Sequence, residues 1–177
     1  MDCKKIAAIL CGGICVVLIA YYGFVEAHKS ATALVRIDEA ALYAVSHVVD
    51  GDTVRVKVDS REIIVRLLGI NTPETVDPRK PVQCFGTEAS NETKLLLDGH
   101  QIRLSANPNR EKTDRYGRYL LYAYRDDGLF LNEYLVREGF AREYTVGNAY
   151  SFQKDFRQAE NEAKEEKRGL WSACKAK

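Results

Sequence analysis

Apolar residues recur at every second position in three consecutive stretches in the middle of the chain, residues 43–49, 54–59 and 63–68. A period of two places successive side chains on opposite faces and is typical of β-strands. Asp50-Gly51 supplies a turn after the first stretch and Asp59-Ser60 a turn after the second, so we predict three strands in direct succession. One face of the first strand is predicted to carry Tyr43, Val45, His47 and Val49.

The pattern after the third strand introduces helices. A polar loop is predicted first, then a helix closed by Gly99, two more strands, and two helices that end at glycines. The predicted elements are a loop at 71–83, a helix at 88–97, strands at 101–105 and 119–124, a helix at 131–138 and a helix from residue 152 to Gly169. This order favours an α+β domain, for which a five-stranded barrel is one natural closure.

A different pattern occupies the N-terminus, where Ile6 to Val25 form a twenty-residue stretch without charge. As a helix it would span about 30 Å, the thickness of a bilayer's hydrocarbon core. Lys4 and Lys5 precede it and favour a cytoplasmic N-terminus, which would place the rest of the chain outside. A cleaved signal peptide is the alternative, because small-residue sites follow at 25–27 and 31–33.

Both interpretations of the N-terminal segment predict export, either as a single-pass membrane protein or as a secreted one. The expected organisation is an anchor or signal peptide at residues 1–27, a tether at 28–40 and a globular domain at 41–174. The N-terminal helix makes the membrane an expected partner. The sequence indicates no protein partner, and we expect a monomer.

Charge and cysteine content narrow the chemistry. The chain has 26 Lys+Arg and 25 Asp+Glu, so a case for nucleic-acid binding must rest on local placement rather than on overall basicity.

Cys84 and Cys174 are the only cysteines after the apolar stretch. In an oxidising compartment they could form a disulfide worth about 4–5 kcal/mol in the chain-entropy model. Two free thiols are the alternative that the sequence leaves open.

Oxygen-bearing side chains collect next to the predicted strands. Asp52 lies at the first turn, and Asn71 and Glu74 follow the third strand. With the Thr72 carbonyl, held extended before a proline, they form a ligand set that suits Ca²⁺ and does not suit zinc. Arg66 in the third strand and Arg118 before the fifth offer bidentate donors for phosphate oxygens. Carboxylates, a cation and guanidinium groups are the ingredients of metal-assisted phosphodiester hydrolysis.

Three short segments resemble the signature segments of the staphylococcal nuclease (thermonuclease) family, in the family's order and spacing. The similarity continues from about Tyr43 to Trp171. The three segments are Val49-Asp50-Gly51-Asp52-Thr53, Arg66-Leu67-Leu68-Gly69-Ile70-Asn71-Thr72-Pro73-Glu74 and Asp114-Arg115-Tyr116-Gly117-Arg118.

The resemblance implies an OB-fold barrel with three helices and Ca²⁺-dependent cleavage of DNA and RNA that leaves 3′-phosphates. It implies that Asp52, Asn71 and Thr72 bind the calcium. The family commonly has Asp where this chain has Asn71, so the loss of one charge predicts weaker calcium binding.

The resemblance also implies roles for residues that contact the substrate. Arg66 and Arg118 would bind the scissile phosphate, and Glu74 would orient or deprotonate the attacking water. Arg115 and Tyr116 match positions that contact a neighbouring phosphate, and Tyr144 falls near the family's nucleotide-stacking aromatics. A non-catalytic OB-fold module that binds nucleic acid at the membrane is the rival hypothesis, since such barrels often bind single strands without chemistry.

Overall fold

The strands and helices of the computed structural model follow the predicted order. The structure describes residues 34–79, 81–108 and 110–174. The strands are β1 (Leu42–Val48), β2 (Thr53–Val58), β3 (Arg61–Leu67), β4 (Ile70–Asn71), β5 (Gln101–Ala106), β6 (Tyr119–Arg125) and β7 (Arg142–Glu143). The helices are α1 (Gly86–Leu97), α2 (Leu131–Arg137), α3 (Gln153–Glu165) and α4 (Leu170–Ala173). The two-residue strands β4 and β7 and the short helix α4 were not predicted.

Five of these strands form a closed barrel in the order β1-β2-β3-β6-β5, in which β5 also pairs with β1. All neighbouring pairs are antiparallel except β3 and β6, which run parallel. This is the strand order of an OB-fold, and it confirms the predicted five-stranded barrel. The remaining strands, β4 and β7, pair with each other outside the barrel.

The barrel interior follows from the alternation in the sequence. Every second residue of β2 and β3 is buried, and the aromatic and aliphatic side chains of β6 join them. Helix α3 adds apolar side chains at helical spacing, as its pattern predicted. The largest fully buried side chains include Tyr122, Phe156, Leu67, Ile70, Ile102, Leu104, Leu131, Leu135 and Leu170.

The prediction that Tyr43, Val45, His47 and Val49 share one face of β1 is wrong beyond Val45. The pairing of β1 with β2 shifts between Val45 and His47, which marks a β-bulge. A bulge inserts one extra residue and reverses the alternation after it. His47 is therefore exposed, and Val48 is buried in its place.

Asn132 ties one helix to the barrel, and a disulfide joins two of the helical segments to each other. The buried Asn132 of α2 accepts a hydrogen bond from the Ala123 N–H at 2.9 Å and donates one to the Leu68 carbonyl at 2.9 Å. Cys84, just before α1, forms a disulfide with Cys174, which follows α4, across a Cα–Cα distance of 5.9 Å. Of the two alternatives that the sequence left open, the structure has the bonded pair.

The expected membrane anchor and both cleavage sites lie outside the described residues. Across residues 34–79, 81–108 and 110–174, no helix combines the length and the apolar character needed to cross a bilayer.

Candidate active site

One groove on the barrel wall brings the three sequence segments together. It has a volume of about 860 Å³. The pairing of the strands explains the convergence, because Thr53 at the start of β2 pairs with Arg66 near the end of β3, and Arg66 lies opposite Leu120 of β6. All nine predicted site residues line this groove: Asp52, Arg66, Asn71, Thr72, Glu74, Arg115, Tyr116, Arg118 and Tyr144.

Asp52 lies at the floor of the groove, with only 3% of its surface exposed. Its Oδ2 accepts hydrogen bonds from the Thr72 backbone N–H at 2.6 Å and from the Thr72 hydroxyl at 3.0 Å. Its Oδ1 accepts a hydrogen bond from the Thr53 hydroxyl at 3.1 Å. A buried carboxylate needs such donors, and these bonds join the first turn to the segment after β3.

Arg66 forms an ion pair with this carboxylate. Its Nη2 lies 3.0 Å from Asp52 Oδ2 and donates a hydrogen bond to Asn71 Oδ1 at 2.9 Å. Its Nη1 donates to the carbonyls of Leu67 and Ile70. These contacts hold the guanidinium group in one orientation at the groove, where a charged residue in an apolar strand would otherwise be costly.

A second carboxyl group, that of Asp50, lies beside Asp52. The Asp52 backbone N–H donates to Asp50 Oδ1 at 3.1 Å. Burial, together with the neighbouring charge of Asp52, raises the pKa of Asp50 from 3.8 to about 6. The groove therefore holds two acidic groups whose ionised forms repel each other.

Glu74 lies in the loop after β4, and one of its carboxylate oxygens contacts the backbone of that loop. Oε1 accepts hydrogen bonds from the N–H groups of Thr75, Val76 and Asp77 at 2.9, 2.7 and 3.2 Å. The side chain thus caps the turn that follows it. This arrangement orients the carboxylate, which lines the same groove as Arg66 and Arg118.

Arg118 is held by a carboxylate four residues earlier in the chain. Its Nε donates to Asp114 Oδ2 at 2.7 Å, and its Nη2 lies 2.7 Å from the same oxygen. Burial opposes the charge of Asp114, but hydrogen bonds from the Arg118 side chain and from the N–H groups of Arg118 and Tyr116 lower the pKa of its carboxyl group. Asp114 therefore stays ionised and fixes the direction of the guanidinium group.

The outer part of the groove is aromatic. The Tyr116 ring is 68% exposed and lies under the guanidinium groups of Arg115 and Arg118, at 4.9 and 5.5 Å. Tyr144, which directly follows β7, is 50% exposed, and its backbone N–H donates a hydrogen bond to the Gly69 carbonyl. Exposed rings beside cations are suited to stacking on nucleic-acid bases.

The donor atoms at the groove fit a hard cation such as Ca²⁺. In the part of the chain that the structure describes, no three His, Cys, Asp or Glu side chains gather into a metal cluster. Asp50, Asp52, Asn71 and Thr72, which all carry oxygen donors, nevertheless line one groove. An all-oxygen set that includes amide and backbone oxygens is characteristic of Ca²⁺. A cation there would also offset the repulsion between the two aspartates.

Sequence reasoning gave no role to several residues that support the site. Asp50 and Asp114 lie inside the segments that resemble the family's signature segments. The spacing of Asp114 four residues before Arg118 was the available signal that the two side chains form a pair. Tyr150 donates a hydrogen bond to the Gly69 carbonyl at 3.0 Å and contacts Glu143 at 2.9 Å. It is far from Gly69 in the sequence, so no local pattern could have revealed it.

Comparisons with known proteins found a matching family model and several similar proteins. The family model "Staphylococcal nuclease homologue" matches residues 64–173. The thermonuclease of Staphylococcus hyicus is 40% identical over 130 residues, which are 73% of this chain and 75% of that protein. The thermonuclease of Staphylococcus intermedius is 40% identical over 129 residues, 73% of this chain and 75% of that protein. Endonuclease YncB of Bacillus subtilis (strain 168) is 37% identical over 125 residues, 70% of this chain and 58% of that protein.

The fold, the groove and these relatives define a class. The chain belongs to the staphylococcal nuclease family. It is an enzyme of the nuclease class of hydrolases rather than a non-catalytic binding module.

Proposed function

We propose that this nuclease is a calcium-dependent endonuclease that cleaves phosphodiester bonds of DNA and RNA outside the cytoplasm. One observation carries the proposal: Asp52, Glu74, Arg66 and Arg118 line a single groove. That convergence supports a shared active centre.

The substrate's phosphate would be bound by the two arginines. Arg118, oriented by Asp114, offers its guanidinium group at the outer part of the groove, and Arg66 offers its own beside Asp52. Preorganised cationic donors stabilise the charge that develops around a five-coordinate phosphorus. Each such donor lowers the activation barrier by about 3–4 kcal/mol. Tyr116 and Arg115 would contact the neighbouring nucleotide, and Tyr144 would stack on a base.

The attacking water would be oriented or deprotonated by Glu74. Its carboxylate is directed by the loop that it caps, and a positioned base contributes about 10²–10⁴-fold to a rate. Asp52, Asn71 and Thr72 would hold the calcium ion, together with Asp50. When bound there, Ca²⁺ would supply Lewis-acid polarisation of a phosphoryl oxygen. Attack at phosphorus with departure of the 5′-oxygen would leave a 3′-phosphate.

The proposed location outside the cytoplasm is supported by two independent features. The uncharged stretch Ile6 to Val25 has the length of a membrane span, and the two lysines before it favour a cytoplasmic N-terminus. The Cys84–Cys174 disulfide is the kind of bond that persists in oxidising compartments. Protease treatment of intact cells tests the location, because an outward-facing domain should be digested without lysis.

The activity is tested with circular and linear DNA and with RNA, each incubated with the protein in Ca²⁺ and then in chelator. We expect cleavage of all three in Ca²⁺ and none in chelator, with 3′-phosphate ends. Glu74→Gln and Arg118→Ala should each lower the rate by about 10²-fold or more. Cleavage at the parental rate by either variant would refute the assigned roles, and retarded migration of uncut DNA would indicate a binding protein instead.

A further inference from the structure

The orientation of Glu74 depends on the backbone of its own loop. Its Oε1 is shared among the N–H groups of the next three residues, Thr75, Val76 and Asp77. A shift of this turn would therefore move the carboxylate with it. Because a misplacement of about 1 Å can lower an enzymatic rate about 10²-fold, whatever holds the loop affects the chemistry.

Gln83 closes this loop. The Glu74 N–H donates to Gln83 Oε1 at 3.0 Å, and the Gln83 N–H donates to the Glu74 carbonyl at 3.0 Å. The two ends of the loop are also in contact at Gly86, where an added Cβ would lie 2.7 Å from Thr75 Cγ2 and 3.2 Å from the Glu74 carbonyl oxygen. The position of Gln83 thus sets the position of Glu74.

The backbone just after Gln83 is in a conformation that needs support. Phe85 has φ 67°, in the left-handed region that favours glycine. A side chain persists there only where its surroundings hold it. The Phe85 ring stacks on Phe140 with 5.5 Å between centroids, and Cys84 is bonded to Cys174. Cys174 follows α4, whose Leu170 is buried in the core.

We propose that the Cys84–Cys174 disulfide and Gln83 are positioning elements for Glu74, so that the rate of hydrolysis depends on the oxidised state of this pair. This inference rests on the proposed function. Cys84 is exposed, so a soluble dithiol can reach the bond. Reduction transfers two electrons and two protons from the dithiol, which becomes a disulfide, and leaves two thiols on the protein.

The first experiment measures kcat and KM for DNA cleavage in Ca²⁺ at 25 °C with the full chain. The parent is compared with the double variant Cys84→Ser/Cys174→Ser and with Gln83→Met, which keeps the disulfide but removes the acceptor for the Glu74 N–H. Both variants should lower kcat about tenfold to 100-fold and change KM less than about twofold. Dithiothreitol should lower kcat of the parent but not of the double serine variant. That variant retains Cys3, Cys11 and Cys15, so it also controls for effects of the dithiol on other thiols.

A double-mutant cycle with Glu74→Gln separates positioning from loss of stability. If the disulfide acts through Glu74, its removal should have no further effect on kcat in the Glu74→Gln background. Val58→Ala serves as a matched control, because Val58 is buried at the far end of β2. This substitution should lower Tm without lowering kcat at 25 °C.

Two results would overturn the inference while the parent still cleaves DNA. One is an unchanged kcat after reduction or in the double serine variant. The other is an equal fall in kcat with and without the Glu74 carboxylate. Failure of the oxidised parent to cleave DNA in Ca²⁺ would instead overturn the proposed function on which the inference rests.

Discussion

Replacing Asp50 by Asn should stabilise the calcium-free protein at neutral pH. Asp50 is partly buried beside Asp52, and its own carboxyl group is ionised when the pH is well above 6. Asparagine has nearly the same shape and keeps the side-chain oxygen that accepts the Asp52 N–H. The substitution therefore removes one of two repelling charges with little change in packing.

The size and sign of the effect follow from the pKa of Asp50. Its pKa rises from 3.8 to about 6 on folding, so the folded state binds this proton more tightly than the unfolded state. Below about pH 4 the Asp50 carboxyl group is protonated and does not lower the free energy of unfolding. As the pH rises through 6 the group ionises in the folded protein, and the free energy of unfolding falls. The pKa difference corresponds to at most about 3 kcal/mol, and partial exposure and coupling to Asp52 reduce the expected gain to about 1–2 kcal/mol.

The assay is thermal unfolding of the parent and of Asp50→Asn in chelator at pH 4 and pH 8. At pH 8 the variant should have a Tm about 3–10 °C higher, and at pH 4 the two proteins should be nearly equal. Asp127→Asn is the control: hydrogen bonds from Arg125 lower the pKa of Asp127 to about 2, so its replacement should give no gain at pH 8. An equal gain at both pH values, or none at pH 8, would refute the electrostatic explanation.

Four further substitutions test the proposed calcium site, the phosphate site and the fold. Asn71→Asp restores a carboxylate beside Arg66 and should lower the Ca²⁺ concentration for half-maximal cleavage about tenfold, measured by calcium titration of the activity. Arg118→Ala should lower kcat about 10²–10³-fold, whereas Asp114→Asn, which only loosens the Arg118 guanidinium, should lower it less. Asn132→Leu leaves the Ala123 N–H and the Leu68 carbonyl without their partner and should cost about 2–4 kcal/mol in urea unfolding.

Each of these substitutions has an outcome that would contradict its premise. An unchanged calcium requirement in Asn71→Asp would mean that residue 71 does not face the cation. An Asp114→Asn variant as slow as Arg118→Ala would make Asp114 more than a positioning residue. A urea midpoint for Asn132→Leu equal to that of the parent would show that water satisfies both backbone groups.

The strands could be predicted because each carries its own alternation, and the closed barrel confirms them. The face of β1 could not, since a bulge between Val45 and His47 arises from pairing with β2 rather than from β1's own sequence. The strands β4 and β7 escaped prediction for a related reason. Each has two residues, too few to show a period, and exists only because Ile70 pairs with Glu143 and Asn71 with Arg142.

The residues of the candidate site also divide into features that a local pattern predicts and features that only the folded chain reveals. The sequence named nine residues and their chemistry, and the structure brings all nine to one groove, while their roles stay predictions. Local spacing shows which groups are available, but distances between groups come from strand pairing. The burial that raises the pKa of Asp50 and the contact of Tyr150 with Gly69 are of this second kind.

The sequence by itself determined the longer strands and helices, the charged groups available for catalysis and the two cysteines that could pair. Periodicity, turn residues and side-chain chemistry are properties of short stretches of chain, so they can be read without a fold. The tertiary structure alone decided that Cys84 reaches Cys174 across 90 residues, that Gln83 closes the Glu74 loop and that Arg66 binds Asp52 and Asn71. Those contacts depend on where the closed barrel and its helices bring distant residues, which no local pattern specifies.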